Sequence, residues 1–302
     1  MNEFGPRPYT DADLPVLQET VAGWIAVAGR CGYDHIGELP HRIYGNLRGR
    51  RPVGELVRVW EDRGSVMGVE INLRFGCAFD VFVAPTLRGT AAEMTMLRHA
   101  AQTTGRYASP EEEFVLTDLL DCDTMRAQLL TELGFERFRT WDNVTERALD
   151  GALPPVSLPA DFTVRSARPS DADQLAEAHN GAFGDDWTGP QYLAEVMSKP
   201  GYDPSCEIVV EAPDGRIAAF CVYWTDSLNK VGHFEPVGTH PDFQRRGLAR
   251  AAMAHAMARM RDAGMTLVTV NYNAENLAAH KLYAALGFIR VEQTSGYRLP
   301  RT

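Results

Sequence analysis

Apolar residues recur three and four apart across residues 247–263, the period at which one face of an α-helix repeats. Residues 266–270 are β-branched and predict a strand, and the helical period returns over residues 275–286. Upstream, residues 162–167 read as a strand, followed by a helix that Ser170 or Asp171 opens and that runs to about residue 182. Residues 207–211 and 217–224 read as strands on either side of the turn signal Pro213-Asp214-Gly215, which predicts an antiparallel hairpin. A further strand over residues 233–239 runs into a loop. The order strand, helix, hairpin, strand, helix, strand, helix, strand predicts a mixed α/β layer with helices on both faces of a central sheet. The first half gives a similar but poorer list. It has a helix over residues 13–27, strands over 56–60, 66–73 and 78–83, then helix, strand and a helix ending near Leu133. Residues 109–113, with three consecutive glutamates, read as a solvated loop before a strand.

Residues 149–159 carry three prolines and no periodic apolar face, as a connection between domains does. The two sides of this connection echo each other. Arg7-Pro8-Tyr9-Thr10-Asp11-Ala12-Asp13-Leu14 faces Arg168-Pro169-Ser170-Asp171-Ala172-Asp173-Gln174-Leu175, and Leu133-Gly134-Phe135-Glu136-Arg137 faces Leu286-Gly287-Phe288-Ile289-Arg290. The two echoes are offset by similar amounts, as a duplication with small length changes requires. Two domains are expected, residues 1–150 and 151–302.

Composition fits this division, because 302 residues of which 45% are apolar and 23% charged suffice for two medium cores. No apolar run approaches the roughly 20 residues that cross a bilayer, and the first residues lack the basic-then-apolar order of a secretory signal. A cytoplasmic protein with no membrane partner is expected. Cys31, Cys77, Cys122, Cys206 and Cys221 are odd in number and far apart, and are read as reduced thiols. The histidines lack ligand spacing, so no metal site is expected. A net charge of -10 argues against nucleic acid as a partner. It suits a cationic substrate such as an amine, and it confers solubility in any case.

The chemistry concentrates in two stretches. In the first, the strand residues Val237, Gly238 and Thr239 lead into His240-Pro241-Asp242-Phe243 and then Gln244-Arg245-Arg246-Gly247-Leu248-Ala249. Glycine and alanine at a helix start leave backbone N–H groups uncovered, and those groups with the positive end of the helix dipole form an anion site that suits a pyrophosphate. Arg245 and Arg246 add charge at the rim. The second stretch, one strand later, is Asn276-Leu277-Ala278-Ala279-His280-Lys281-Leu282-Tyr283-Ala284-Ala285-Leu286-Gly287-Phe288. Together they resemble the GNAT superfamily of N-acetyltransferases, in which Q/R-x-x-G-x-G/A after a strand holds the pyrophosphate of acetyl-CoA and a later N-x-x-A-x-x-L-Y-x-x-x-G-F helix follows. Asn276, Ala279, Leu282, Tyr283, Gly287 and Phe288 match that helix position by position.

The resemblance implies two tandem GNAT-like domains, each a central mixed, mostly antiparallel sheet flanked by helices. It implies transfer of an acetyl group from acetyl-CoA to a primary amine of a small molecule by direct attack in a ternary complex. Tyr283 is the implied general acid for the departing sulfur, and Glu235 the implied base, acting directly or through water. Backbone groups of Val237 and Thr239 are expected to pair with the pantetheine amides. Asn276 is expected to touch the cofactor, to cap its helix, or both. Asp185, Asp186 and Trp187 lie where family members admit substrate, and the two aspartates serve either a cationic substrate or the cap of the next helix. Alternatives are a non-catalytic acyl-CoA sensor and acetylation of a protein or peptide amine. A monomer or homodimer is expected. The first half lacks parts of the template: the stretch Val83-Ala84-Pro85-Thr86-Leu87-Arg88-Gly89-Thr90-Ala91 is shorter by two residues, and Leu130 stands where Tyr283 stands. That half is expected to be a non-catalytic scaffold.

Overall fold

The computed structural model describes residues 4–301. The chain divides into two compact units, Met1–Val144 with Glu292–Thr302, and Thr145–Val291. The boundary read from the sequence falls in the proline-bearing connection, whereas the compact units part inside a strand and the last residues return to the first unit. A strand's sequence does not say which neighbour it will pair with, so this exchange is invisible before folding.

The first unit holds β1 (Gly5–Pro8), α1 (Leu14–Ala28), α2 (Glu38–Pro40), α3 (Val53–Leu56), β2 (Val57–Asp62), β3 (Ser65–Arg74), β4 (Ala78–Val83), α4 (Ala91–Tyr107), β5 (Phe114–Leu120), α5 (Thr124–Glu132) and most of β6 (Glu136–Ala148). Its first four strands pair antiparallel in sequence order, and β4 meets β5 parallel at Ala78 and Leu116. One face is covered by α1, whose Leu14, Leu17 and Val21 pack on Val57, Val59, Val69 and Ile71. The other is covered by α4 and α5, whose Met96, Leu97 and Leu130 pack on Phe79 and Val115.

The second unit holds β7 (Thr163–Ser166), α6 (Ala172–Phe183), α7 (Gly189–Tyr192), β8 (Glu207–Glu211), β9 (Ile217–Asp226), β10 (Val231–Thr239), α8 (Leu248–Asp262), β11 (Leu267–Asn273), α9 (Leu277–Ala285) and the start of β12 (Ile289–Pro300). Strands β7 to β10 pair antiparallel in order, and β10 pairs parallel with β11. The hairpin expected around Pro213-Asp214-Gly215 is β8 and β9, with Gly215 in the left-handed region at φ 84°. Helix α8 is alanine-rich and carries Arg259 and Arg261 in its last turn, where they complement the helix dipole. Its fully buried Met253, Met257 and Met260 fill the core against Phe234 and Val268. Burial of each such side chain contributes about 1.5–3 kcal/mol.

The connection does not hang free of the second unit. Leu149 is fully buried and donates its N–H to the Thr266 carbonyl at 2.9 Å, while Leu153 and Leu158 pack on the core. The last strand belongs mainly to the first unit, where residues 294–300 pair antiparallel with β5 from Thr294 opposite Leu120 to Pro300 opposite Phe114.

One reading is corrected here. Cys31 and Cys122 form a disulfide across 91 residues of sequence, with Cα atoms 6.1 Å apart; the other three cysteines are free. Distance in sequence does not prevent pairing when the fold supplies the approach. No helix among the described residues is long and apolar enough to cross a membrane.

Candidate functional site

In the second unit, β10 and β11 run side by side from Val231 opposite Leu267 to Phe234 opposite Val270, and there their pairing ends. The register of β10 against β9 also shifts between Phe234 and Val237, so Glu235 and Pro236 form a bulge. Past Val237 the side of β10 that faced β11 has no paired strand among the described residues, which leaves its main-chain groups for another ligand. Pairing to β9 continues through Val237, Gly238 and Thr239 and holds this free edge straight. Gly238 is glycine for a packing reason: a Cβ there would collide with the ring of Phe220 and with Ala182.

Past Thr239 the chain makes a short 3-10 turn over Pro241–Phe243, which the His240 side chain caps by accepting from the Asp242 N–H. Gln244, Arg245, Arg246 and Gly247 follow, all exposed. Arg245 and Gly247 both lie in the left-handed region, at φ 62° and 77°. Two left-handed residues in four turn successive N–H groups toward one side, the geometry of an anion nest. Gly247 is the N-cap of α8, and no side chain caps the helix. Its first-turn donors, at Leu248 and Ala249 among others, lack intrahelical acceptors by the geometry of any α-helix. Arg246 lies over the Phe243 ring at 5.5 Å, which holds its charge at the rim. These features fit a diphosphate.

Tyr283 projects from α9 into a cluster of rings, 5.4 Å from Tyr272 and 6.0 Å from Phe288, and is 6% exposed. Burial, and after it the nearby charge of Glu235, pushes its hydroxyl well above the ordinary tyrosine range. It therefore stays protonated, as a donor must. The Glu235 carbonyl accepts from the Trp224 indole N–H at 2.8 Å, which fixes the backbone of the bulge. The Tyr272 hydroxyl lies 2.8 Å from His280 Nδ1. Tyr272 and His280 escaped the sequence reading, although His280 stands one helical turn before Tyr283 and so shares its side of α9.

Asn276 caps α9, its side-chain oxygen accepting from the Ala279 N–H at 3.0 Å. Asp185 is half-buried and Asp186 exposed, and neither caps the next helix; Thr188 does so by accepting from the Gln191 N–H. Trp187 is buried in the second core, 5.5 Å from the Tyr192 ring, and Asn180 bonds both its backbone N–H and its carbonyl.

The first unit repeats the plan with different contents. Its β4 and β5 part beyond Ala78 and Leu116, at the place corresponding to Phe234 and Val270. At the turn Gly89 is left-handed, at φ 73°, but its N–H donates to the Glu93 carboxylate at 2.6 Å, and Thr90 caps α4 by accepting from the Ala92 N–H. Arg126 holds the same carboxylate at 2.7 Å. Arg88 turns inward, pairing with Asp123 at 2.8 Å and donating to the Cys31 carbonyl. The carboxylate of Glu93 thus takes a place that a phosphate takes at a bare helix start. Leu130, where Tyr283 stands in the second half, is fully buried among apolar side chains.

Two parallel strands that part beside a helix start occur in both units, the helix start being uncapped in the second and capped by Thr90 in the first. Residues 172–288 match the model of the Acetyltransferase (GNAT) family, and the chain as a whole shares its fold with solved GNAT structures, a tandem one among them. It is 29% identical over 181 residues to a mycothiol acetyltransferase of Thermomonospora curvata, a match covering 58% of this chain and 60% of that protein. A mycothiol acetyltransferase of Tsukamurella paurometabola is 28% identical over 236 residues, covering 73% of this chain and 77% of the relative. The match spans 54% of the length of the Arthrobacter relative, so some of these relatives are covered over little more than half their length. Among solved structures, a GCN5-related N-acetyltransferase from Sphaerobacter thermophilus aligns over 100% of this chain and 96% of its own, with TM-score 0.64 and 20% identity. A tandem GNAT protein from the clavulanic acid biosynthesis pathway aligns over 99% of both chains, with TM-score 0.65 and 13% identity.

Proposed function

We propose that the second unit transfers an acetyl group from acetyl-CoA to the primary amine of a small molecule. The observation that carries the reading is the parting of β10 from β11 after Phe234, with the left-handed turn and the uncapped start of α8 beside it. In this reading the free edges of Val237, Gly238 and Thr239 receive the pantetheine amides, and the N–H groups from Gln244 to Ala249 receive the pyrophosphate. Arg245 and Arg246 screen its charge, and the Asn276 amide, whose oxygen caps α9, faces the cofactor with its nitrogen.

The chemistry needs a neutral amine and a leaving sulfur. Glu235 takes the ammonium proton, directly or through water; the amine nitrogen then attacks the thioester carbonyl, the C–S bond breaks, and Tyr283 gives its proton to the sulfur. Charge neutralisation at that sulfur is worth no more than the roughly 10² to 10⁴-fold typical of a general acid, because a thiolate is already a fair leaving group. Asp185 and Asp186 guide the cationic acceptor toward the site, and Trp187 fixes the loop that carries them. The first unit serves as a non-catalytic scaffold, its turn closed by Glu93.

The test is a panel of small primary amines incubated with acetyl-CoA, with free thiol and acetylated product both measured. The relatives' name makes a mycothiol-related amine the first acceptor to try. Release of thiol matched by product supports the transferase. Tight acetyl-CoA binding with no product from any amine, peptide amines included, favours a sensor.

A further inference from the structure

Beyond Ala78 and Leu116 the parted strands of the first unit border a small, partly open cavity of about 30 Å³. Its charged lining is Asp34, Arg42, Asp80, Asp118 and Arg126. Around the three aspartates the cations are engaged. Arg42 divides its nitrogens among Glu38 at 2.9 Å, Asp34 at 2.9 Å and Asp80 at 3.1 Å, and Arg74 pairs with Asp80 at 2.5 Å and Asp118 at 3.1 Å. The three aspartates therefore have only two guanidiniums, one of which also serves a glutamate, and negative charge is in surplus. Burial, and after it the charge of Asp118, pushes the Asp142 carboxyl up to about 7, while Arg74 and Arg42 act the other way.

Arg126 also lines the cavity, paired with Glu93 at 2.7 Å and 3.8 Å from Asp123. Arg126 is 7% exposed and gives its Nε–H to Glu93, but its Nη2 is buried without a hydrogen-bond partner among the described residues. Buried guanidinium donors nearly always meet an acceptor. A water would supply an oxygen there but would leave the charge of the three aspartates uncompensated.

We propose that this cavity binds a small primary amine that also carries a hydroxyl or carbonyl oxygen. Its ammonium lies among Asp34, Asp80 and Asp118, and its oxygen accepts from Arg126 Nη2. The proposal concerns the first unit alone and does not depend on acetyl transfer by the second.

Calorimetric titration of the full chain, without acetyl-CoA, tests it with ethanolamine as the two-function probe and ethylamine and ethylene glycol as single-function probes. Ethanolamine is expected to bind with a Kd of about 1 mM or tighter, and each single-function probe roughly tenfold more weakly. Asp118→Asn keeps the shape of the wall and removes one charge, and should weaken ethanolamine about tenfold. Asp34→Asn, at the most exposed of the three carboxylates, is the second variant should Asp118→Asn fail to fold, and the same loss is expected. The proposal is overturned by no heat up to about 50 mM ethanolamine, by ethylene glycol binding as well as ethanolamine, or by binding that both variants leave unchanged.

Discussion

Tyr283 is held by rings on two sides, and its burial keeps the hydroxyl protonated across the physiological range. Tyr283→Phe keeps the packing and removes only the hydroxyl that the proposed mechanism uses as proton donor. The expected outcome is a fall in kcat of about 10- to 100-fold with the acetyl-CoA dissociation constant unchanged; equal rates in the two proteins would remove Tyr283 from the mechanism. A second buried group makes stability depend on pH. Glu207 is fully buried and accepts from the Tyr192 hydroxyl at 2.8 Å and the Tyr202 hydroxyl at 2.6 Å. Burial pushes its carboxyl up to about 7, and the two hydroxyls only partly offset this. A folded pKa above the unfolded value means the native state holds its proton more tightly. The contribution is thus present in full below about 4.5 and is lost as pH rises through about 7. Glu207→Gln should therefore gain stability relative to the parent between pH 5 and 8, by a few kcal/mol at most, on the order of the shift itself. Thermal melts across that range check it, and a constant difference between the two proteins would contradict it.

At the scale of elements, the two helix starts that follow the parted strands make opposite demands on their sequences. Gly247 needs a left-handed conformation at an open position, so Gly247→Val is strained there and also crowds the donors of α8. Weaker acetyl-CoA binding with little change in melting temperature is expected. The start of α4 instead binds Glu93, which also neutralises the buried Arg126. Glu93→Ala leaves that guanidinium poorly compensated and should cost about 3–5 kcal/mol, read from denaturant unfolding of the full chain. Much of this was legible beforehand. The strand Glu207–Glu211, the hairpin at Gly215 and helix α8 follow from a short apolar β-branched run, a turn signal and a helical period, each of which acts locally. Glu93 left a signal too, since Thr90-Ala91-Ala92-Glu93 has the spacing of a capping box. Helix α7 starts two residues later than a cap at Asp186 would place it, with Thr188 as its cap and Pro190 in its first turn, where proline fits. The Cys31–Cys122 pair and the ring contact of Tyr272 with Tyr283 depend on approach through the fold, which no local pattern encodes.

At the scale of the whole molecule, the chain's last strand completes the sheet of its first unit. Truncation after Val291 removes the partner of β5 and takes Tyr297 from the core that also holds Val115 and Leu119. An exposed strand edge beside an opened core favours aggregation, so the truncated chain is expected to be insoluble or to melt well below the parent, as a thermal melt of the soluble fraction would show. The two units carry one plan and differ where the strands part: Arg74 joins Asp80 of β4 to Asp118 of β5 in the first, and in the second the pairing of β10 with β11 ends at Phe234 and Val270. Acetyl-CoA titrated calorimetrically into the full chain and into Gly247→Val tests that difference most directly. One molecule bound per parent chain, with affinity lost in the variant, is the expected result. Two molecules per chain, none at all, or undiminished affinity in Gly247→Val would contradict it.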